Sequence, residues 1–493
     1  MVRRTTVEKP RGGNRLVESN GVDLRGGSGG RIASVARNLD IRVQRFEDLT
    51  IIEGRDPVKA MTSSMKLGNL PDELLVLILS FLPTWYAVRT SILSRRWQYL
   101  FTLTDCLSFD DAPWYAGKRS FEKFVNKVLE LHQMSPIMKF SLVCQGSYNE
   151  SHLNAWVKHA IQKGVEEFHY QVNKYELPDV FAMCKTLVKL KVIGCPCRVP
   201  KFSLSSGLPN LKIIHLKHVR FDDNHETKRL LSKCEFLEEL TLYNCGLYAR
   251  GHVTISIGQL KVLRIKYSNV KNGILEIEAP NLAYLTYYRV VGVKIVPLWK
   301  KSCSLVEAKL RFSYPSDTYR SLEDDRDLLR DAAYKSKELH LLSESVECLF
   351  MMGDKRQVPF FPSLSRLHLP FLSYDSLKSM TSVLDKSPRL EVVVFEPSYC
   401  YCSNNFPVMS RPSESLKPFS CHVKVIEVHD FCGYDEGMLL LLGHFLRNAR
   451  VLKKLIVRRG CYCDDIEEEL PISKDLLMLP RASSDCCIKL THY

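Results

Sequence analysis

The chain has 493 residues, a formal net charge of +14 and 45% hydrophobic residues, which suits a globular protein of roughly two to four domains. Its apolar runs fall well short of the roughly 18 residues that a membrane-spanning helix needs, and the N-terminus lacks the apolar segment of a secretion signal. The seventeen cysteines are therefore expected to stay reduced, in the nucleus or the cytoplasm.

Residues 1–62 are rich in arginine and glycine and show little hydrophobic periodicity, which is typical of a disordered basic tail. Such a tail suits contact with nucleic acid or with an import receptor, and it also suits an inert extension. The inert extension is the preferred interpretation because no nucleic-acid-reading module follows it. Nucleic acid is not an expected partner.

Residues 67–101 predict three short helices. Pro71 is expected at the first helical position, Thr84 and Ser94 are expected to cap the second and third helices, and Pro83 ends the first helix. One apolar stripe is predicted on the first helix: Leu74, Leu75, Ile78, Leu79 and Leu82. So small a module cannot bury all this surface by itself, so the stripe either packs on the rest of the chain or binds a partner.

The segments LPDELLVLILSFLPT and AVRTSILSRRW of this module resemble the F-box of plant F-box proteins. One departure is Phe101, where that family more often has tryptophan. The resemblance implies that the helices bind the Skp-type adaptor, and through it the cullin, of an SCF ubiquitin ligase. The adaptor-binding residues it implies are Leu70, Pro71, Leu74, Ile78, Leu79, Leu82, Pro83 and Leu93, with Trp97 anchoring the third helix.

Residues 107–135 predict a connecting strand, a loop and an amphipathic helix, and the pattern Leu-x-x-Leu-x-Leu then recurs along the chain. The clear copies are Leu187/Leu190/Val192, Leu211/Ile214/Leu216, Leu237/Leu240/Leu242, Leu260/Leu263/Ile265, Leu282/Leu285/Tyr287, Leu305/Ala308/Leu310, Leu364/Leu367/Leu369, Leu390/Val393/Phe395 and Leu452/Leu455/Val457. Weaker copies are Ile137/Phe140/Leu142, Val165/Phe168/Tyr170, Leu339/Leu341 and Val423/Ile426/Val428. This is the leucine-rich-repeat signature, which predicts one short strand per unit.

Cysteines occupy the Asn/Cys position of two repeats, at Cys195 and Cys245, and a structural role is expected for both. The C-x-C pairs, Cys195/Cys197, Cys400/Cys402 and Cys461/Cys463, do not have the spacing of zinc sites. No metal or cofactor is expected. The sequence also lacks the common nucleophile, phosphate-binding and dinucleotide-binding motifs, so a non-catalytic protein is expected.

Residues 421–460 predict a strand, a helix and a strand, with a helical stripe of Leu439, Leu442, Phe445 and Leu446. The segment FLRNARVLKKL resembles the FBD region that ends many plant F-box/leucine-rich-repeat proteins, although Gly437 and Met438 depart from that family. The expected role is to cap the end of the repeats. The acidic run DDIEEEL that follows is expected to be solvated.

Strand positions between the leucines point to the concave face of a repeat solenoid, because side chains alternate along a strand. Residues 185–220 carry eight lysines or arginines and no acidic residue. The candidate substrate-binding residues at these positions are Lys189, Lys191, His215, Lys217, Tyr243, Arg264, Lys266, Tyr284, Lys309 and Arg311. This predicts a strongly basic face for an acidic or phosphorylated substrate, or an ordinary solvated face, since exposed strands often carry lysine.

The predicted fold is α/β: a three-helix F-box at 63–108, an irregular leucine-rich-repeat solenoid at 109–415, and an FBD-type capping unit at 416–493. The resemblance implies a substrate-recognition subunit of an SCF-type ubiquitin ligase. Two alternatives stay open. One is an F-box receptor that needs a hormone or an inositol phosphate, and the other is an F-box protein that acts outside ubiquitination.

Overall fold

In the computed structural model, the described residues from Pro71 onwards belong to one compact unit. The structure describes residues 70–491 apart from these gaps: 115–117, 133–134, 173–177, 179, 182–183, 199–207, 222–230, 232–233, 289–292, 297–304, 313–320, 343–344, 347–357, 371–381, 397–421, 432–435 and 460–475. The predicted basic tail, the cysteine pairs at 400/402 and 461/463 and the acidic run at 464–470 lie outside the described residues. Within the described ranges, no helix is long and apolar enough to cross a membrane.

The F-box segment begins with α1 (Asp72–Ser80) and α2 (Thr84–Arg89) and continues as two 3₁₀ segments (Thr90–Ile92 and Arg95–Leu103). The third predicted helix is therefore a 3₁₀ helix. The predicted start of α1 was one residue early, because Pro71 has an extended backbone (ψ 154°) and stands just before the helix.

Neither of the two residues predicted to cap helices in this segment forms a side-chain capping bond. Thr84 is the first residue of α2 itself, and its buried hydroxyl oxygen accepts a hydrogen bond from the Ser108 backbone N–H at 2.7 Å. Ser94 precedes the last 3₁₀ segment without a side-chain capping bond. The Thr84 hydroxyl instead ties the F-box segment to the first strand of the repeats.

Four longer helices follow: α3 (Lys118–Leu131), α4 (Glu150–Gln162), α5 (Ser321–Lys335) and α6 (Glu436–Asn448), together with a short 3₁₀ turn at Ala112–Trp114. The amphipathic helix predicted before residue 135 is α3, and Phe121, Val125 and Val128 on its stripe are buried. Asn149 caps α4, because its side chain accepts a bond from the Ser151 N–H.

The described strands are all paired in parallel. They are β1 (Cys106–Asp110), β2 (Lys139–Cys144), β3 (Glu167–Val172), β4 (Lys189–Arg198), β5 (Ile213–Arg220), β6 (Glu239–Tyr243), β7 (Gly246–Ser256), β8 (Val262–Lys266), β9 (Asn269–Glu278), β10 (Tyr284–Tyr288), β11 (Val293–Val296), β12 (Glu307–Arg311), β13 (Glu338–Leu341), β14 (Arg366–Pro370), β15 (Val392–Glu396), β16 (Val425–Phe431), β17 (Lys454–Arg459) and β18 (Cys487–Thr491).

One ladder contains a strand from every repeat, in the order β1-β2-β3-β4-β5-β6-β8-β10-β12, continuing through β13 to β18. The leucine positions of the pattern line up across this ladder and are buried, as Leu240, Leu263 and Leu285 show. The predicted leucine-rich-repeat fold is confirmed. The strand predicted as a connection, β1, is the first strand of the ladder.

A second ladder, which the leucine pattern does not predict, consists of β7, β9 and β11 and begins at the ends of β4 and β5. The chain turns towards it at His218, Asn244 and Tyr267, which have left-handed backbones (φ 56°, 50° and 54°). The Asn244 and Tyr267 N–H groups bond carbonyl groups of the next repeat at 2.8 and 2.7 Å. These bonds hold each corner in a left-handed backbone conformation that residues other than glycine rarely adopt.

Two buried polar side chains fix loops that follow strands. Asp111 accepts hydrogen bonds from the Gln145 and Gly146 N–H groups (2.9 and 2.8 Å) and from the Tyr148 hydroxyl (2.9 Å). Ser345 accepts a bond from the backbone N–H after β12 and donates one to a β12 carbonyl, both at 2.9 Å. Each loop therefore depends on one side chain to satisfy its buried backbone groups.

The C-terminal part contains the predicted strand, helix and strand as β16, α6 and β17, and Leu442, Phe445 and Leu446 of the helix are buried. A further strand, β18, pairs with β17 beyond this segment and lies within the capping unit predicted at 416–493. Most of β18 is exposed, so its sequence lacks the buried leucine positions by which the other strands were recognised.

Candidate adaptor and substrate surfaces

The F-box segment divides its apolar side chains between a core and an exposed face. Leu75, Leu100 and Phe101 are buried, so the Phe101 departure keeps an aromatic side chain in the core. The large apolar side chains that are at least two-fifths exposed here are Leu74, Leu77, Phe81, Tyr86, Ile92, Leu93, Tyr99 and Leu103. So dense an exposed apolar surface on one small module is typical of a protein-binding site.

The adaptor-binding residues implied by the F-box resemblance fall on both sides of this division. Pro71, Leu74, Pro83 and Leu93 are exposed, and Leu70, Ile78 and Leu82 are partly exposed. Leu79 is 1% exposed, so its assignment to the adaptor surface was wrong: it lies one helical turn after Leu75, on the inner side of α1. Trp97 is buried, consistent with an anchoring role.

Polar and aromatic contacts hold this module in place. The Arg96 guanidinium forms an ion pair with Asp72 at 2.7 Å, which links the last 3₁₀ segment to the start of α1. Trp85 of α2 packs edge-on against Phe124 of α3, with 5.3 Å between ring centroids. The exposed face is therefore presented by a segment that is tied to the repeats.

Three rows of side chains cross the solvent-facing side of the main ladder, because the strand register aligns equivalent positions on neighbouring strands between β3 and β14. The first row lies near the start of the strands and contains Glu167, Lys189, Ile213, Glu239, Val262, Tyr284, Glu307, Glu338 and Arg366. The middle row contains His169, Lys191, His215, Thr241, Arg264, Thr286, Lys309, His340 and His368. The last row, which we call the cation–tyrosine row, contains Lys217, Tyr243, Lys266, Tyr288 and Arg311.

The face is less basic than the predicted strongly basic surface, because the glutamates of the first row pair with the cations beside them. Glu239 accepts bonds from His215 (2.8 Å) and Arg264, and the Glu307 carboxylate lies 2.7 Å from the Lys309 ammonium. Burial opposes ionisation of Glu239, but the His215 bond and the Arg264 charge outweigh it and lower the pKa of this carboxyl. Charge on this face is therefore graded from acidic to basic along the strands.

The cation–tyrosine row alternates ammonium groups and aromatic rings on adjacent strands. The Lys217 ammonium lies 5.1 Å from the centroid of the Tyr243 ring, and the Lys266 ammonium lies 4.7 Å from that of Tyr288. Tyr243 also packs edge-on against the corner residue Tyr267. Cation–π contacts hold the ammonium groups over the rings without neutralising their charge.

Lys266 is the centre of this row. Burial lowers its pKa, and the positive charges of Arg264 and Lys309 lower it further. A bound anion would relieve this repulsion, because it would place a negative charge among three cations. Arg311 is only 6% exposed, so its assignment to the accessible binding surface was wrong; the other nine predicted substrate-binding residues are at least partly exposed on the face.

Buried cysteine thiols have a structural role in the repeats. The Cys245 thiol donates to the Leu216 carbonyl of the preceding repeat at 3.4 Å, as predicted for the Asn/Cys position, and Ser268 takes the equivalent position one repeat later. The side chain of Cys195 lies outside the described part of the chain. Burial raises the pKa of Cys245 to about 11 and that of Cys234 to about 12, so both are protonated at neutral pH and unsuited to ubiquitin transfer.

Comparisons with known proteins agree with these features. Residues 67–108 match the F-box domain profile, and residues 128–482 match the profile described as At1g61320/AtMIF1, LRR domain. The chain is 32% identical to the Arabidopsis thaliana F-box/LRR-repeat protein At3g59190 over 69% of this chain and 96% of that one. It is 30% identical to F-box/LRR-repeat protein At2g42720 of the same plant, over 86% and 99%.

A further Arabidopsis thaliana relative, putative F-box/FBD/LRR-repeat protein At3g59240, is 27% identical over 86% of this chain and 89% of its own length. The repeat profile covers more than half of the chain, and it continues across the boundary placed at residue 415. The F-box match includes the whole module with the exposed apolar face. The chain therefore belongs to the plant F-box/LRR-repeat protein family.

Proposed function

We propose that this protein is a non-catalytic substrate-recognition subunit of an SCF-type ubiquitin ligase, acting in the nucleus or the cytoplasm. The observation that carries this proposal is the exposed apolar face of the F-box segment, which includes Leu74, Phe81 and Leu93. The adaptor would cover these side chains and release the water that contacts them. The repeats would then hold a target close to the ubiquitin-charged enzyme that other subunits recruit, and so raise its effective concentration.

The proposed substrate is a protein segment with acidic or phosphorylated side chains that binds along the cation–tyrosine row. Anionic groups would bind between Lys217 and Lys266, where a carboxylate or phosphate gains charge-assisted hydrogen bonds. The rings of Tyr243 and Tyr288 would pack against apolar parts of the same segment. The first row, with Glu239 and Glu307, would repel anionic groups and so set the position of the segment along the strands.

The strand, helix and strand of residues 421–460 are proposed to be an FBD region. Their FLRNARVLKKL segment resembles that family, and one Arabidopsis relative carries FBD in its name. We assign this region no chemistry of its own, because its helix buries Leu442 and Phe445 against the repeats like any other unit.

The test is reconstitution of the full-length chain with a plant Skp-type adaptor and a cullin, followed by size-exclusion chromatography. A ternary complex that depends on Leu74 and Phe81 supports the proposal. A stable complex with the adaptor that excludes the cullin would instead support a role outside ubiquitination. Failure of the chain to bind any adaptor would overturn both.

A further inference from the structure

Two histidines stack on adjacent strands at one end of the middle row. The imidazole rings of His340 (β13) and His368 (β14) lie 3.6 Å apart at 17°, and only 15% and 11% of their side chains are exposed. Glu338, from the first row, lies beside both. One potential ligand atom from each of Glu338, His340 and His368 falls within 4.8 Å of the other two.

The histidine nitrogens of this group all face carboxylates, which is favourable only with added positive charge, from a proton or from a metal ion. His368 Nε2 lies 2.8 Å from a Glu338 carboxylate oxygen, and His368 Nδ1 lies 3.1 Å from Glu396. A neutral imidazole has one N–H, so both contacts are favourable only when the second nitrogen also carries a proton or faces a metal ion. His340 Nε2 is buried and lies 3.0 Å from a Glu307 carboxylate oxygen and 3.3 Å from the same Glu338 oxygen, and neither contact has the geometry of a hydrogen bond.

Glu338 differs in its partners from Glu307 and Glu427, two other carboxylates of this surface. Lys309 holds Glu307 at 2.7 Å, and Arg366 holds Glu427 at 3.2 Å, so both are neutralised by side chains that stay charged. The ion-pair contacts of Glu338 within the described residues are to His340 and His368 alone. Its negative charge is therefore available to a metal ion.

We propose that Glu338, His340 and His368 bind one divalent transition-metal ion of the zinc type. Two imidazole nitrogens and one carboxylate are a common zinc ligand set, and they leave a fourth coordination position for water or for a group on a bound molecule. Tetrahedral ligands about 2.0–2.1 Å from zinc stand about 3.3 Å from each other. The 3.3 Å contact between Glu338 and His340 already has this spacing, and the 2.8 Å contact with His368 would open by about 0.5 Å. The stacked rings would also turn out of their parallel arrangement, so that both in-plane lone pairs point at the ion.

A supporting carboxylate completes the arrangement. Histidines that bind a metal through one nitrogen commonly donate the other N–H to a carboxylate, which fixes the ring and strengthens the bond to the metal. The 3.1 Å contact between His368 Nδ1 and Glu396 has this form. Glu396 is in turn 3.5 Å from His429 of β16. Metal binding at this cluster requires neither an adaptor nor a substrate, so it stands or falls separately from the proposed function.

The test is titration of the full-length, chelator-treated chain with Co²⁺, followed by displacement with Zn²⁺. Wild type should bind one Co²⁺ with a visible spectrum free of thiolate charge transfer, which separates this site from the cysteines. H340Q and H368Q should each weaken binding by about 100-fold or more, and E396Q by about 10- to 100-fold. H215Q changes a middle-row histidine whose ion-pair contact among the described residues is to Glu239, with no second histidine, and it should bind like wild type.

Far-ultraviolet circular dichroism and adaptor binding would show that each variant is folded. The proposal is overturned if wild type shows no Co²⁺ spectrum of this kind, or if the H340Q/H368Q double variant binds Co²⁺ as tightly as H215Q. Protection from thermal unfolding by Zn²⁺ should follow the same order, with wild type and H215Q protected and the double variant not.

Discussion

The exposed face of the F-box segment predicts a specific loss of adaptor affinity when Leu74 and Phe81 are both changed to alanine. Leu74 is 46% exposed and Phe81 is 50% exposed, so about half of each side chain remains for the adaptor to bury. Full burial of such a side chain contributes about 1.5–3 kcal/mol, and half of it about 1 kcal/mol. The pair should therefore weaken binding by about 2 kcal/mol, or about 30-fold in Kd.

The assay is calorimetric titration of the full-length chain with a purified Skp-type adaptor. A matched control is L477A/M478A, which removes two exposed apolar side chains near the C-terminus. This control should bind the adaptor like wild type. If the Kd of L74A/F81A lies within twofold of the control, the exposed face is not the adaptor surface and the reasoning is wrong.

Stability measurements test the buried features of the same structure. L75A removes a fully buried F-box side chain and should cost about 2–5 kcal/mol in the free energy of unfolding, seen as faster hydrogen exchange in α1. D111A leaves three donors after β2 without their acceptor and should lower the free energy of unfolding in urea by about 3–5 kcal/mol. The control D110A removes one exposed hydrogen bond and should lower it by less than about 1 kcal/mol. Equal losses for these two would contradict the Asp111 account. The folded state holds the pKa of Glu239 low, so the ionised carboxylate stabilises the fold at neutral pH and this stabilisation disappears as pH falls through that pKa. E239Q should therefore lose less stability than wild type on acidification below about pH 4.3. Parallel curves of unfolding free energy against pH for the two proteins would refute this.

Much of the fold was predictable because its determinants are local in the sequence. Burial of every second or third residue in a parallel ladder leaves a pattern that repeats with each unit, so Leu240, Leu263 and Leu285 were recognisable from spacing alone. The strand, helix and strand near the C-terminus were predicted for the same reason. The second ladder was not, because it depends on left-handed corners at His218, Asn244 and Tyr267, where the residue types give no signal as clear as glycine.

The candidate sites were less predictable because they depend on neighbours from different repeats. Leu74 and Leu75 are adjacent leucines on the same predicted apolar stripe, and only the packing of the F-box segment decides which of them is exposed. The basic face was overestimated because the prediction considered cations and not the glutamates that align with them in register, such as Glu239 beside Arg264. Register also brings His340 next to His368, 28 residues later in the chain.

The charge of the cation–tyrosine row predicts which proteins this chain captures. Proximity labelling in plant cells would compare wild type, L74A/F81A, and K217E/K266E, which reverses both ammonium groups of the row. Captured targets should accumulate on L74A/F81A, because they bind the repeats but escape ubiquitination, and they should be lost from K217E/K266E while adaptor labelling persists.

That comparison tests the central claim most directly, because it separates substrate capture by the repeats from adaptor binding by the F-box. We expect a set of acidic or phosphorylated proteins that is enriched on L74A/F81A relative to wild type and is absent from K217E/K266E. Recovery of the same proteins by a folded K217E/K266E variant, or no accumulation on L74A/F81A after its adaptor binding is lost, would contradict the account.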